Sequence, residues 1–543
     1  MPVGGQEDTL AFLGRPSTYG RSRGRVQRID THGAVVFLVG RRAYKLKRAV
    51  KFPYMDFSTL AKRLALCEAE VMINRRTAPK MYLGLMPVVA RGAGLALGKL
   101  YQPGAIPITE KDRAGDWLVV MTRFPASALY DLIAVRRGLR ADEAEAIAEA
   151  IARFHDGAPK AIKRGQGRSL DWVVEGNLAE IGRRSPGLFA RREVGKLARD
   201  LHDALRRARR LLAERRRVGL VRHVHGDLHL RNICEIGGEP LLFDALEFDP
   251  KLATIDVLYD LAFLLMDLER RGLHAASNRL FNQYLALSID PAGDMSALKG
   301  LAALPLFLAC RAAIRAHTEA AAADAQRVRS KADDLRRGAR QYLRLADAFL
   351  DPPKPVLIAI GGLSGTGKTT LARALAPMIG AAPGALVLRS DVIRKRLAGV
   401  DPLDRLPQSA YRPEATRRVY ETMGRLAKLA LAAGHSVIAD AVFADVRERS
   451  AIERAALRLR LPFVGLWLYA PTQTLVNRLI GRRFDASDAT PSVLDRQLGY
   501  DLGELSWERL SAARGSTDVT ARARRCIAAC APACIRALKP GGN

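Results

Sequence analysis

The sequence predicts two folds in one chain: an α+β unit over residues 1–350 and an α/β unit with a parallel sheet over residues 355–543. Three observations carry this. The run Leu350-Asp351-Pro352-Pro353-Lys354-Pro355 sets three prolines in four residues, and no helix continues through that. Upstream of it, strand-like pieces come first and helices follow, the order of a small sheet joined to a helical body. Downstream, strands and helices alternate, starting with the β-branched apolar run Val356-Leu357-Ile358-Ala359-Ile360, which suits a strand buried on both faces.

Taken in order, Ala34 to Val39 and Ala43 to Lys47 flank Gly40-Arg41-Arg42 and read as a hairpin. A helix is predicted from Leu60 to Arg76 and a strand from Asp116 to Arg123. From Ala141 the pattern is helical, apart from a strand–loop–strand section near residues 221–244. The last stretch before the prolines, Ala302 to Leu350, is rich in Ala and Arg and reads as helical throughout.

Composition narrows the function. The chain has 543 residues, 48% of them apolar, enough for sizeable cores, which excludes a disordered polyelectrolyte. Six cysteines are too few for a secreted disulfide scaffold. Cys526, Cys530 and Cys534 lack the Cys-x-x-Cys spacing or histidines of a metal site and read as packing. The 87 Lys and Arg against 56 Asp and Glu give a net charge of +31, spread along the chain. Such a surface steers anionic substrates such as nucleotides; nucleic acid is a possible but not a favoured partner, and Arg206–Arg217 reads as a solvated helix face. The start, with Glu7 and Asp8, has no basic leader followed by an apolar core. Leu301–Cys310 and Leu461–Asn477 are too short or too broken to span a bilayer, so the expectation is a cytoplasmic protein with no membrane partner.

Residues 225–232 read His225-Gly226-Asp227-Leu228-His229-Leu230-Arg231-Asn232, and twelve residues on comes Leu241-Leu242-Phe243-Asp244. Phosphoryl transfer to a hydroxyl needs a carboxylate to orient the hydroxyl and accept its proton, oxygen ligands for Mg²⁺, and a cation on the phosphates. Asp227 supplies the base; Asn232 and Asp244 supply hard oxygen ligands. The segment resembles the aminoglycoside phosphotransferase and choline kinase group, a branch of the protein-kinase-like fold, whose motif His-Gly-Asp-x-x-x-x-Asn it matches fully. Asp260-Leu261-Ala262 and Ala152-Arg153-Phe154-His155 are similar to two further helix motifs of that group, so the resemblance spans about residues 30–345. It implies a strand lysine on the phosphates and a helix glutamate holding it. Lys45, in Ala43-Tyr44-Lys45, is the first choice, with Lys47 on the same strand face as its rival; Glu70 is preferred over Glu68. The glycine-rich loop of protein kinases is poorly matched by Gly20-Arg21-Ser22-Arg23-Gly24, and His32-Gly33 stands nearer that turn. Asp116 to Phe124 would lead into the adenine hinge.

The second constellation is Gly362-Leu363-Ser364-Gly365-Thr366-Gly367-Lys368-Thr369-Thr370, a G-x-x-x-x-G-K-[ST] loop between a predicted strand and a predicted helix. Its glycines let backbone N–H groups close on phosphates, Lys368 reaches the β and γ phosphates, and Thr369 can ligate Mg²⁺. Arg389-Ser390-Asp391-Val392-Ile393-Arg394 resembles the acceptor side of P-loop small-molecule kinases such as gluconate kinase and the zeta-toxin group. That implies Asp391 orienting the acceptor hydroxyl and Arg394 holding substrate anions. His435-Ser436-Val437-Ile438-Ala439-Asp440 is a buried strand ending where a second metal-side carboxylate belongs. Arg478, Arg482 and Arg483, with the acidic run Asp485–Asp488, resemble a lid whose arginines stabilise the transferring phosphoryl group.

The expectation is a two-domain phosphotransferase: a protein-kinase-like unit and a P-loop NTPase unit. Both use ATP and Mg²⁺, and both phosphorylate small hydroxylated molecules. The rival expectation is an ATP-binding regulatory or RNA-associated protein that uses the same sites as a switch. The preference between ATP and GTP, the acceptors and the oligomeric state are left open.

Overall fold

The computed structural model describes every residue except 1–4, 23, 53–54, 164, 166, 291–292, 294, 402–403, 482–486, 514 and 537–543. The chain divides into two compact units, and the division does not fall at the prolines. The first unit holds residues 1–139, 150–169 and 216–264; the second holds 140–149, 170–215 and 265–543. The Pro-rich junction at 351–355 thus lies inside the second unit, where the helices after residue 265 belong with the α/β sheet.

The first unit is built on a six-stranded antiparallel sheet. Its strand order is Gln27–Asp30, Ala34–Val39, Arg42–Lys47, Ala114–Thr122, Tyr82–Arg91, Gly94–Leu97. The predicted hairpin is present, with Ala34 opposite Lys47 and Val39 opposite Arg42. One sheet face packs Val35, Phe37, Tyr44, Leu46, Leu118 and Val120 into a core with Leu13. The opposite face packs Trp117, Val119 and Leu85 against Leu64, Cys67 and Val71 of the helix Leu60–Asn74. Side chains alternate along a strand, so Lys45, paired with Val119, belongs to the helix side of the sheet, and Lys47 shares it. His32 and Gly33 form the turn between the first two strands, closed by the Thr31 N–H on the Ala34 carbonyl at 2.9 Å.

The second unit contains five strands, all parallel, in the order Leu386–Arg389, Val437–Asp440, Leu357–Gly361, Phe463–Tyr469, Glu508–Ser511. The predicted apolar strand is the central one. The helices Lys368–Leu375 and Ser516–Cys530 cover one face, with Leu371, Leu375, Val519, Ala523 and Ile527 in the core. The cysteine-bearing helix ends at Cys530, ahead of Pro532, and Cys534 is buried in the short turn Pro532–Cys534. Among the described residues no cluster of His, Cys, Asp and Glu could hold a metal by itself.

An edge strand leaves a row of unpaired backbone groups. Here the edge strand Leu386–Arg389 is met by the helix His274–Ser288. Asn282 accepts from the Val387 N–H at 2.7 Å and donates to the Ala385 carbonyl at 3.2 Å, so its amide stands in for a neighbouring strand. Asn278 donates to the same carbonyl at 3.0 Å. Nearby, Arg536 donates to Glu269 at 2.6 Å and to the Pro377 carbonyl at 2.9 Å, while His274 Nδ1 lies 2.7 Å from Glu269. Burial alone would raise the Glu269 pKa, but His274 and Arg536 hold it below the ordinary carboxylate value. These contacts join the chain after residue 355 to the helices before it. Asn282→Ala should therefore cost about 1–3 kcal/mol, the penalty for stranding a buried backbone donor, and denaturant unfolding of the full chain checks it.

The predicted single helical stretch 302–350 is two helices, Leu304–Ala325 and Arg329–Leu350, broken at Gln326-Arg327-Val328. The sequence reading cut the preceding apolar run at Cys310, but the helical segment Ser296–Ala325 continues past it. By length and composition it could cross a membrane, and most of it is buried inside the protein. Arg206–Arg217 is the end of the long helix Arg191–Arg217, which buries Leu197, Leu201, Leu205, Ala208 and Arg215, so the stretch read as solvated carries one buried arginine. On its outer face Arg206 pairs with Asp203, and Arg209 with Asp171 at 3.2 Å.

Candidate active sites

In the first unit, the helix Leu60–Asn74 starts at Thr59, whose hydroxyl accepts from the Lys62 N–H, and carries Glu70 fully buried. Glu70 serves both lysines. Lys45 Nζ donates to its Oε1 at 2.8 Å and Lys47 Nζ to its Oε2 at 2.6 Å. Each lysine has a second carboxylate: Asp244 for Lys45 at 2.6 Å, and Glu247 for Lys47 at 2.5 Å. Burial would raise the Glu70 pKa, but the two ammonium groups hold it below the ordinary value. Only Lys45 reaches Asp244, and it is the more open of the two, 15% exposed against 1%. Glu68 accepts instead from the Gly104 N–H at 2.9 Å. The second lysine–glutamate clamp, through Glu247, was not foreseen; its signal is only a glutamate three residues after Asp244.

Asp227 lies on a loop fixed from behind. Asp260, fully buried on the helix Val257–Arg270, accepts from the His225 N–H at 3.2 Å and the Gly226 N–H at 2.9 Å, and His155 Nε2 sits 3.1 Å from it. The two helix motifs that carried part of the family resemblance thus meet on the backbone of the loop. Burial lowers the His225 pKa, which favours the neutral ring. Nε2 donates to the Phe243 carbonyl at 3.0 Å, which leaves Nδ1 to accept from the Asp227 N–H at 3.4 Å. That ring ties the loop to the strand end bearing Asp244. Gly226 has φ +81, and a Cβ there would come 3.1 Å from Leu246 and 3.3 Å from Ala253, so any other residue would be strained and crowded. Asn232 Nδ2 donates to the Asp227 carbonyl at 2.9 Å and to its carboxylate at 3.1 Å. Asp244, with φ +59, is anchored by its N–H on the Tyr82 hydroxyl at 3.1 Å, and the next N–H donates to Asn74 at 2.9 Å.

In the second unit, Gly362 (φ +136) has the Leu468 carbonyl 2.4 Å from where its Cβ would be, so the loop can leave the central strand only as glycine. Lys368 opens the helix Lys368–Leu375 and folds back to donate to the Leu363 carbonyl at 3.0 Å. Thr369 donates to Asp440 at 2.6 Å, bringing the two predicted metal-side residues together. Thr366, Gly367, Thr370 and Arg478 line a cavity of about 190 Å³ with Leu468 and Val519. Arg478 also donates to the Ala512 carbonyl at 2.8 Å. Arg482 and Arg483 lie outside the described residues.

Asp391 stands at the start of the helix Ser390–Leu397. Burial raises its pKa, opposed by Arg389. Arg389 also lies 3.7 Å from Asp440, so it serves both carboxylates. Arg394 donates to the Ala410 carbonyl at 2.7 Å and to Thr416 at 3.1 Å, with its guanidinium over the Tyr411 ring. Two contributors were missed in the sequence: Arg389, which sits inside a quoted motif, and Gln497, which accepts from the Ser364 N–H of the loop at 2.8 Å. Gln497 comes from a distant helix, and no local pattern marks it.

Residues 357–500 match the family described as AAA domain. An uncharacterized protein of Mycobacterium tuberculosis is 28% identical over 87% of this chain and 90% of its own length. An adenylyl-sulfate kinase of Myxococcus xanthus is 32% identical over 22% of this chain and 62% of its own. A choline/ethanolamine kinase family protein from Mesorhizobium loti, 15% identical, covers 63% of this chain and 98% of its own with a TM-score of 0.34. The chain joins an α+β part built on an antiparallel sheet to an α/β part built on a parallel sheet, and the family match falls on the latter.

Proposed function

We propose that the protein is an ATP-dependent phosphotransferase with two sites, each moving the γ-phosphoryl group to a hydroxyl of a small molecule. The observation that carries this is a repeated arrangement: a lysine poised for phosphates, an oxygen pair fit for a divalent cation, and a carboxylate for the acceptor. In the first unit these are Lys45, held by Glu70; Asn232 with Asp244; and Asp227. In the second they are Lys368; Thr369 with Asp440; and Asp391.

Both oxygen sets are hard donors of the kind Mg²⁺ takes, and the Thr369 hydroxyl bonding Asp440 at 2.6 Å supports reading them as a pair. Bound there, Mg²⁺ would neutralise charge on the phosphates. The chain's own groups do the rest. Lys45, fixed by Glu70, orients one set of phosphates, and Asp227, fixed through Asp260 and His225, takes the acceptor proton. The loop 362–370 and the helix dipole behind Lys368 hold the other set. Arg478, in the cavity beside Thr370, packs against the nucleoside, and Arg394 holds an anionic part of the acceptor.

Incubating the full chain with γ-labelled ATP and a pool of hydroxylated metabolites tests this. Labelled products are expected, and they should separate into one set lost in Asp227→Asn and another lost in Asp391→Ala. Rapid hydrolysis that ignores every acceptor and survives both substitutions would refute it.

A further inference from the structure

Asp391 already holds a hydroxyl, and it belongs to the protein itself. The Ser487 side chain hydrogen-bonds the Asp391 carboxylate. Its neighbour Asp488 fixes it there: Oδ2 accepts from the Tyr411 hydroxyl at 2.7 Å and from the Leu406 N–H at 3.1 Å, and Oδ1 lies 3.1 Å from Lys395 Nζ. Lys395 is almost fully buried. Lys395 and Asp391 are four residues apart on the helix Ser390–Leu397, so the clamp and the carboxylate share one face of one rigid element. Arg389, two residues before Asp391 and opposing the effect of its burial, lies 3.7 Å from Asp440, which Thr369 of the phosphate loop meets at 2.6 Å, so the carboxylate belongs to the phosphate end of the site. A nucleophile bonded to a carboxylate beside a phosphate-binding loop is the arrangement a transfer reaction needs.

We propose that Ser487 is a self-phosphorylation site of the P-loop unit, an inference that rests on reading Asp391 as the group that orients the acceptor. Ser487 Oγ attacks the γ-phosphorus of a nucleoside triphosphate. The new O–P bond forms as the bond from that phosphorus to the β–γ bridging oxygen breaks. Asp391 takes the serine proton, and the nucleoside diphosphate leaves with the electron pair. The product sets a phosphoserine, with a charge of roughly −1.5 to −2, against Asp391 and Asp440. That charge closes the site to further acceptors until the phosphoryl group is removed.

The test uses the full chain, stripped of phosphate by a phosphatase that is then removed. The protein is incubated with Mg²⁺ and γ-labelled ATP and mapped by peptide mass spectrometry. Label on Ser487 is expected, at a rate per chain independent of protein concentration. It should be retained in Ser487→Thr, lost in Ser487→Ala and Lys368→Ala, and slowed roughly 100-fold or more in Asp391→Asn. Label on Ser487 that survives Lys368→Ala would overturn the proposal. So would an unlabelled Ser487 in a chain whose P-loop unit still shows nucleotide turnover lost on Lys368→Ala. Absence of any Lys368-dependent turnover would overturn the proposed function of this unit and the inference with it.

Discussion

Asp227→Asn should lower phosphoryl transfer by the first unit roughly 10²- to 10⁴-fold, the usual cost of losing a positioned base. The substitution keeps the shape of the side chain and its place in the loop. The backbone there is held by Asp260 on the His225 and Gly226 N–H groups and by the His225 ring, none of which needs the Asp227 charge. Asn232 can still donate to the Asp227 carbonyl. Unfolding by denaturant should therefore be close to wild type, and nucleotide affinity should change little, because Lys45 and Glu70 are untouched. Kinetics of the separated product set read the loss. Transfer at near wild-type rate would mean that another group takes the acceptor proton.

The second large effect is expected at Lys368. Its ammonium now rests on the Leu363 carbonyl, a contact that phosphates would replace with a charge-assisted one. Removing one partner of such a charge pair costs about 2–5 kcal/mol, so Lys368→Ala should weaken nucleotide binding at the P-loop unit roughly 30- to 5,000-fold. The glycines, Thr369 and Asp440 remain, so the loop should keep its form. Nucleotide binding by the first unit should not respond.

What the sequence made legible follows the range of the interactions. The P-loop, its strand and its helix are contiguous, so their geometry was readable residue by residue. Within the first unit, Asp227, Asn232 and Asp244 sit on one short loop and hairpin and were readable for the same reason. The period of two along Arg42–Lys47 put Lys45 and Lys47 on one face but could not choose between them, and the structure shows why: Glu70 binds both. Glu247 and Gln497 act across long sequence separations, where spacing carries no signal. The division of the chain was the least legible feature. Three prolines mark the end of a helix truly, but the contacts that tie the chain beyond them to earlier helices run through Asn278, Asn282, Glu269 and Arg536, polar residues that look like ordinary surface in the sequence.

The most direct test of two working sites is a calorimetric titration of the full chain with a non-hydrolysable ATP analogue in the presence of Mg²⁺. Two nucleotides bound per chain are predicted, falling to one in Lys368→Ala. A stoichiometry of one in the wild type, unchanged by Lys368→Ala, would contradict the account.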